Sequence, residues 1–255
     1  MNAVTPNLHS LIIELQSFES LQSFVLAGGT NLALRYNHRE SIDIDLVTNK
    51  NVGKTGLEKI AKEVSEFFGT SLQFLQIINQ DFSEQYMFMR LFIQKNDSTI
   101  KVEILQNIQY VDEIEFFKGV KLLSVKDIGL LKLMSASNRK AKKDIYDLEY
   151  ITNQISLSDL MEELEKKEQR FMESNFQCLF DLDDEKSPVN NLGLLLEFDK
   201  IDYSTIPSKP SHTHDRIVIG STGKNWLTAR TNWRAKVRKL YQQKGLDFPS
   251  ITSVN

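Results

Sequence analysis

Residues 24–30 read Phe-Val-Leu-Ala-Gly-Gly-Thr, an apolar segment of strand type that is followed by two glycines and a threonine. Gly28 and Gly29 let the backbone approach a ligand closely, and Thr30 is predicted to cap the helix that follows, over residues 30–37. The first backbone N–H groups of a helix attract anions because they have no partner within the helix. The stretch therefore predicts an α/β fold with a phosphate-binding turn between a strand and a helix.

A second stretch, residues 41–47, reads Ser-Ile-Asp-Ile-Asp-Leu-Val and alternates polar and apolar residues as a half-buried strand does. Alternation places Asp43 and Asp45 on one face, and Ile42, Ile44 and Leu46 are predicted to point into the core. Two carboxylates at such a short distance repel each other unless a cation lies between them. Carboxylate oxygens are suitable ligands for Mg²⁺, or for Mn²⁺ in its place. An Asp-x-Asp pair also occurs at solvated strand ends, but the glycine turn upstream favours a metal ion that carries nucleotide phosphates.

Residues 28–34 and 38–46 carry a resemblance to a known family, through the strings Gly-Gly-Thr-Asn-Leu-Ala-Leu and His-Arg-Glu-Ser-Ile-Asp-Ile-Asp-Leu. These strings resemble the AbiEii/AbiGii-type nucleotidyltransferase toxins, a branch of the DNA polymerase beta-like nucleotidyltransferase superfamily. The resemblance implies a metal-dependent enzyme that moves a nucleoside monophosphate from a nucleoside triphosphate (NTP) to an acceptor. It further implies the toxin of a bacterial type IV toxin–antitoxin pair, which acts on RNA such as tRNA and is held in check by a separately encoded antitoxin.

A third carboxylate is expected from a neighbouring strand, because two metal ions around a phosphoryl group require more oxygen ligands than one pair supplies. Residues 99–105 alternate in the manner of a strand, and Glu103 points away from the apolar side chains. Taken alone, Glu103 is typical of a surface strand residue. The resemblance implies that Glu103 is the third metal ligand, together with Asp43 and Asp45.

Two helices are predicted after the strands. Ser124 and Asp127 form a start of the capping-box type, and a second helix follows over residues 140–151. Asp144 and Asp147 are three residues apart and share one face of this second helix. An ordinary salt-bridged helical hairpin is one interpretation of the pattern.

The resemblance implies chemical roles in the same hairpin. Lys132 would steady the triphosphate charge, and either Asp144 or Asp147 would activate or position the acceptor; the sequence leaves open which of the two acts. The nucleotide-binding residues that the resemblance implies are Gly28, Gly29, Thr30, Arg39, Ser41, Lys132, Arg139 and Lys143.

The chain as a whole predicts an α/β (α+β) nucleotidyltransferase core with a mixed sheet over residues 1–123, followed by a helical lobe over residues 124–255. The 255 residues are 41% hydrophobic and 25% charged, enough for one large core or two modest ones. The single Cys178, predicted to lie in an apolar helix over residues 170–180, excludes an internal disulfide. No apolar stretch approaches the length of a membrane span and no secretory signal is apparent, so we expect a cytoplasmic protein.

The C-terminal region is basic although the net charge of the chain is −3. From Thr205 onward there are nine Lys or Arg and two acids. This region includes a predicted linker around Pro207 and Pro210, ahead of the last helix. A helix is predicted over residues 222–243, with several of its bases outward, and nucleic-acid contact is one interpretation of this charge. A solvated basic helix is the other. Residues 220–224, Gly-Ser-Thr-Gly-Lys, look like a phosphate loop but have the wrong spacing.

Two alternative functions follow from the same residues. One is a transferase for a small hydroxylated molecule such as an antibiotic, against which the basic tail argues. The other is a module that binds nucleotide or RNA without catalysis, against which the intact set of Asp43, Asp45 and Glu103 argues.

Overall fold

The computed structural model of the chain describes residues 2–200 and 216–249. The predicted linker around Pro207 and Pro210 lies outside the described residues. The α-helices in the described part are α1 (Pro6–Ser17), α2 (Gly28–Tyr36), α3 (Gly53–Phe68), α4 (Val125–Arg139), α5 (Lys142–Ile151), α6 (Leu157–Arg170) and α7 (Trp226–Gln243). The strands are β1 (Val25–Leu26), β2 (Ile44–Val47), β3 (Leu72–Ile78), β4 (Phe88–Lys95), β5 (Ser98–Leu105), β6 (Glu115–Phe117) and β7 (Val120–Leu122).

The strands form one mixed sheet in the order β3-β4-β5-β2-β1-β7-β6. Pairing is parallel between β2 and β5 and between β1 and β7, and antiparallel between the other neighbours. The predicted mixed sheet with subsequent helices is confirmed. Strand β6 was not predicted, and its three residues are exposed because it is an edge strand.

One face of this sheet is covered by helices α1 and α3. Leu11 and Ile12 of α1 and Leu57 of α3 are fully buried in one hydrophobic cluster with the inward residues of β2, β4 and β5. Burial of each such side chain stabilises the fold by roughly 1.5–3 kcal/mol. Since side chains alternate along a strand, the polar residues of β2, β4 and β5 project from the opposite face of the sheet. The predicted metal ligands are on this second face.

Three local predictions were wrong. Helix α2 begins at Gly28, so Thr30 lies inside the helix and the cap position belongs to Ala27. Strand β2 begins at Ile44, and Ile42, which precedes it, is 55% exposed instead of buried in the core. A predicted apolar helix over residues 170–180 is replaced by short 3₁₀ turns, and Cys178 is only half-buried.

The described chain divides into two compact units. Among the described residues, unit 1 consists of residues 2–128, 167–184 and 219–223, and unit 2 consists of residues 129–166, 185–200, 216–218 and 224–249. The division expected at residue 123 stays a prediction. In unit 2, α7 packs with α5, and the buried Trp233 indole donates a 2.9 Å hydrogen bond to the Leu195 carbonyl oxygen. Among the described helices, none combines the length and the apolar character that crossing a bilayer requires.

Candidate active site

The turn at the start of α2 packs a glycine against a carboxylate. Gly28 has φ +65°, a backbone conformation that residues with a Cβ rarely adopt. A Cβ at Gly28 would lie 2.0 Å from Oδ2 of Asp45, so the Asp45 side chain contacts the Gly28 backbone directly. The Asp45 carbonyl oxygen also accepts a 2.8 Å hydrogen bond from the Ala27 backbone N–H. The predicted phosphate-binding turn and one predicted metal ligand are therefore neighbours.

Thr30 ties the segment that carries Asp43 to helix α2. Its hydroxyl donates a hydrogen bond to the Asp43 carbonyl oxygen, and it lies 2.8 Å from Oγ of Ser41. Thr30 is almost fully buried, so these bonds are shielded from water. Asp43 and Asp45 are both half-buried and separated by the buried Ile44, as alternation predicts. Thr30 thus positions the Asp43 backbone relative to the start of α2, a different task from the predicted cap.

Glu103 lies beside Asp45 on the neighbouring strand. Strands β2 and β5 are parallel, and Asp45 is the register partner of Glu103, so both side chains project from the same face. Arg90 on β4 is the register partner of Glu103 on the other side. Its Nη2 and Nε atoms lie 2.6 and 2.8 Å from Glu103 Oε1. Lys101 Nζ lies 3.5 Å from Glu103 Oε2 and 3.7 Å from Asp43 Oδ2.

The donor atoms on this face fit a divalent ion at Asp43 and Asp45. Both offer carboxylate oxygens, which are the ligands that Mg²⁺ and Mn²⁺ prefer. The Glu103 carboxylate, the third predicted metal ligand, forms ion pairs with Arg90 and Lys101 in this arrangement. Accordingly, within residues 2–200 and 216–249, no three Asp, Glu, His or Cys side chains converge as they do around a metal ion.

Arg39 brings a positive charge to the start of α2. It is buried, and a Cβ at Gly29 would lie 2.3 Å from its Nη2 atom. Its Nη1 atom donates a 3.1 Å hydrogen bond to the Glu40 carbonyl oxygen. The guanidinium and the N-terminus of a helix are both positive, so placing them side by side favours an anion that contacts both. The contact supports the predicted place of Arg39 near a phosphate group.

The remaining predicted residues lie on α4 and α5, and several of them form a buried ion cluster in unit 2. Lys132 Nζ lies 2.7 Å from Asp144 Oδ1 and 2.9 Å from Asp147 Oδ2. Nη2 of Arg139 lies 3.1 Å from each carboxylate oxygen of Asp144. Both aspartates are almost wholly buried. Lys143 is half-buried on the first turn of α5.

Asp144 is held ionised by this cluster. Burial would raise the pKa of the Asp144 carboxyl, but the charges of Arg139 and Lys132 and the hydrogen bond from Lys132 outweigh burial and lower it. The salt-bridged hairpin, which was one interpretation of the sequence, describes these contacts. The chemical roles that the resemblance implies for Lys132, Arg139, Lys143 and the two aspartates stay predictions.

Helix α7 in unit 2 has a buried side and a basic side. Trp233, Val237 and Leu240 are buried, as predicted. Lys236 is different from the other bases of the helix, since its Nζ donates to the Glu149 carbonyl oxygen at 2.8 Å and burial lowers its pKa. Of the other bases on α7, Arg238 and Lys239 are exposed, and Arg230 and Arg234 are half-buried.

Sequence reasoning missed Arg90 and Lys101. Lys101 is two residues before Glu103, so alternation alone would have placed it on the face of the carboxylates. The contact between Arg90 and Glu103 could not be inferred from alternation, because it depends on the register between β4 and β5.

One family model matches most of this chain, and several solved structures are similar to it. The family described as "Nucleotidyl transferase AbiEii toxin, Type IV TA system" matches residues 14–249. JHP933 from Helicobacter pylori is 16% identical with a TM-score of 0.47, over 94% of this chain and 92% of that chain. MenT4, nucleotidyltransferase toxin Rv2826c from Mycobacterium tuberculosis H37Rv, is 15% identical with a TM-score of 0.46, over 93% and 84%. A comparison with curated proteins finds no match. Because the family match spans most of the chain, the protein belongs to the AbiEii family of nucleotidyltransferase toxins of type IV toxin–antitoxin systems.

Proposed function

We propose that this nucleotidyltransferase moves a nucleoside monophosphate from an NTP to an RNA acceptor, such as tRNA, and that it requires Mg²⁺ or Mn²⁺. One observation carries the proposal: the Asp45 carboxylate packs against Gly28 at the start of α2. A metal-ligating group and a phosphate-binding turn in direct contact are what a metal–nucleotide complex needs.

Different residues of unit 1 are proposed to bind different parts of the NTP–metal complex. The first backbone N–H groups of α2 and the Arg39 guanidinium would contact phosphate oxygens, and Gly28 and Gly29 would let those oxygens approach the backbone. Thr30 would keep Asp43 at a constant distance from this turn through its bond to the Asp43 carbonyl oxygen. Such prior positioning lowers the activation barrier because less ordering is needed when the reaction occurs.

Asp43 and Asp45 would hold the divalent ion. When bound, the ion supplies Lewis-acid stabilisation of the negative charge that develops on the α-phosphate. Glu103 is proposed as the third ligand. To bind the ion, its carboxylate has to break its ion pairs with Arg90 and Lys101. Arg90 and Lys101 would then remain beside the site as positive charges.

The acceptor is proposed to be RNA because of the basic side of α7. The helix contains five Lys or Arg and no acid between Trp226 and Gln243. Arg230, Arg234 and Arg238 recur at intervals of four residues, which places them in one stripe along the helix. Such a stripe is suited to a phosphate backbone and offers little to a small neutral or cationic acceptor. The antitoxin is proposed to be a separately encoded protein that opposes this activity.

The proposal is tested by incubating the protein and its Asp43→Ala variant with each of the four α-labelled NTPs, Mg²⁺ and total bacterial RNA. We expect label to enter RNA with the unaltered protein and to fall at least about 100-fold with Asp43→Ala or after chelation of the metal ion. Glu58→Ala, at an exposed position of α3, is the matched control and should retain full transfer. Full transfer by Asp43→Ala would overturn the metal assignment. Label in protein or in small molecules only would overturn the RNA assignment.

A further inference from the structure

A glycine-containing turn far along the chain packs on the loop that follows α2. The turn comprises residues 219–223, and the loop begins at Asn37, whose left-handed backbone conformation ends α2. The Gly220 N–H donates a 2.9 Å hydrogen bond to the His38 carbonyl oxygen, and the Thr222 hydroxyl donates to the Tyr36 carbonyl oxygen. The Asn37 side-chain amide donates to Ser221 Oγ at 2.5 Å. All of these residues belong to unit 1.

The approach of the two backbones is so close that only glycine fits at two positions of the turn. A Cβ at Gly220 would lie 2.1 Å from the Asn37 carbonyl oxygen. A Cβ at Gly223 would lie 2.2 Å from the His38 carbonyl oxygen. Both neighbours are backbone atoms, so neither contact is relieved by rotation of a side chain. A methyl group at either position would therefore move the loop or the turn.

The segment held in this way carries Arg39. The Arg39 backbone forms an antiparallel bridge with Ile219, and its guanidinium reaches back to the first turn of α2, against Gly29. The position of the guanidinium therefore depends on contacts made by the turn on its backbone.

The turn uses its own N–H groups for this purpose. Gly220 N–H donates to His38, Thr222 N–H donates to the Asn37 carbonyl oxygen at 3.4 Å, and Gly223 N–H donates to the Gly220 carbonyl oxygen at 3.1 Å. A phosphate loop would instead direct such groups at the ligand. The resemblance of residues 220–224 to a phosphate loop is therefore misleading: the N–H groups of Gly220 and Thr222 hold another segment of the protein, and that of Gly223 closes the turn itself.

We propose that the turn of residues 219–223 positions Arg39 for the phosphates of the NTP. This inference rests on the proposed function, in which Arg39 contacts the phosphates. Gly220, Thr222 and Gly223 are positioning residues, because they contact the backbone of the residues just before Arg39. The residues of the turn contribute to NTP affinity although 184 and 186 residues separate Ser221 and Thr222 from their partners at the end of α2.

The test measures steady-state transfer by four variants. Gly223→Ala should raise the KM for the NTP about tenfold and change kcat less than about twofold, because it moves a binding group and spares the carboxylates. Arg39→Gln should raise KM by at least as much. In the double variant the two effects should not add, since both act through the same guanidinium. Gly69→Ala, a glycine of positive φ with no atom within 4 Å of an added Cβ, is the control for lost stability and should leave KM unchanged.

The outcomes separate the inference from the proposed function. If Arg39→Gln raises KM and Gly223→Ala does not, the turn does not position Arg39. If the effects of Gly223→Ala and Arg39→Gln multiply in the double variant, the turn acts by another route and the inference is again wrong. An unchanged KM in Arg39→Gln would overturn the phosphate role of Arg39 and the inference with it. Should Gly223→Ala not fold, Thr222→Val removes one hydrogen bond without a clash and should raise KM about threefold.

Discussion

The Asp45 carboxylate and the Gly28 backbone are in direct contact, since a methyl group at Gly28 would lie 2.0 Å from Oδ2 of Asp45. The contact joins the first residue of α2 to a strand residue that lies seventeen positions further along the chain. A side chain at position 28 would have to displace the Asp45 carboxylate, and the contact sets the distance between the proposed metal ligand and the proposed phosphate site.

Gly28→Ala tests this contact. The left-handed backbone would cost about 1–2 kcal/mol, and the clash would displace the Asp45 side chain. We expect the free energy of unfolding to fall by about that amount and nucleotide transfer to fall by about 100-fold. Urea unfolding and initial rates of transfer measure the two effects. Gly69→Ala shares the positive φ but has open space around it, so it should lose stability and keep its activity.

Thr30→Val tests the tie between α2 and the carboxylate segment. Valine has nearly the same shape but leaves the partly buried Asp43 carbonyl oxygen without the hydroxyl donor, which should cost about 1–2 kcal/mol of stability. Transfer should also decrease, because Asp43 is released from a defined position. Thr30→Ser retains the hydroxyl and should recover most of the activity. Equal activity in the valine and serine variants would contradict the positioning role of Thr30.

Reversal of two charges on α7 tests the RNA surface. Arg234→Glu combined with Arg238→Glu should weaken RNA binding by at least about tenfold in low salt, and should reduce the dependence of log Kd on log salt concentration. Filter binding at several salt concentrations measures both quantities. Lys54→Glu with Lys62→Glu on α3 makes the same change in net charge at exposed positions and should have little effect. Unchanged binding by the α7 variant would identify its basic side as a solvated surface.

Asp144→Asn tests the buried ion cluster through pH. The pKa of Asp144 is lowered below its ordinary value of 3.8, so its stabilisation is fully present above that pH and is lost as the pH falls through the lowered value. The variant should be less stable than the unaltered protein by about 3 kcal/mol at pH 7. Urea unfolding from pH 7 downward should show this difference decreasing below about pH 3.8.

A matched change checks that result. Glu165→Gln on α6 also replaces an acid by its amide, but at an exposed position, so stability should change by less than about 0.5 kcal/mol. A difference between Asp144→Asn and the unaltered protein that stays constant down to pH 3 would show that the ionised carboxylate is not the source of the stabilisation.

Much of the candidate site was predictable because its signals are local. The glycine pair predicted a close approach of the backbone, and the Asp-Ile-Asp alternation predicted that Asp43 and Asp45 share a face with Ile44 buried behind them. These predictions needed only the period of a strand and the conformational range of glycine. The predicted cap at Thr30 was wrong, since the hydroxyl found a partner in the Asp43 carbonyl oxygen, on a different segment.

The rest depended on strand order and register. Nothing in residues 88–95 indicates that Arg90 would face Glu103, because a shift of one residue between β4 and β5 would move Arg90 to the other face of the sheet. The ion cluster on α4 and α5 was predictable only in part. Spacing predicted that Asp144 and Asp147 share a face, whereas their burial around Lys132 depends on how the two helices pack.

By itself, the sequence determined which residues alternate, which glycines admit a close approach and which residues belong to the AbiEii pattern, because these properties arise between residues a few positions apart. Only the tertiary structure decided that β5 lies beside β2 with Glu103 next to Asp45, and that residues 219–223 pack on the loop of Arg39. Contacts between residues far apart in the chain form only when many side chains are buried together, and no short segment specifies that arrangement alone.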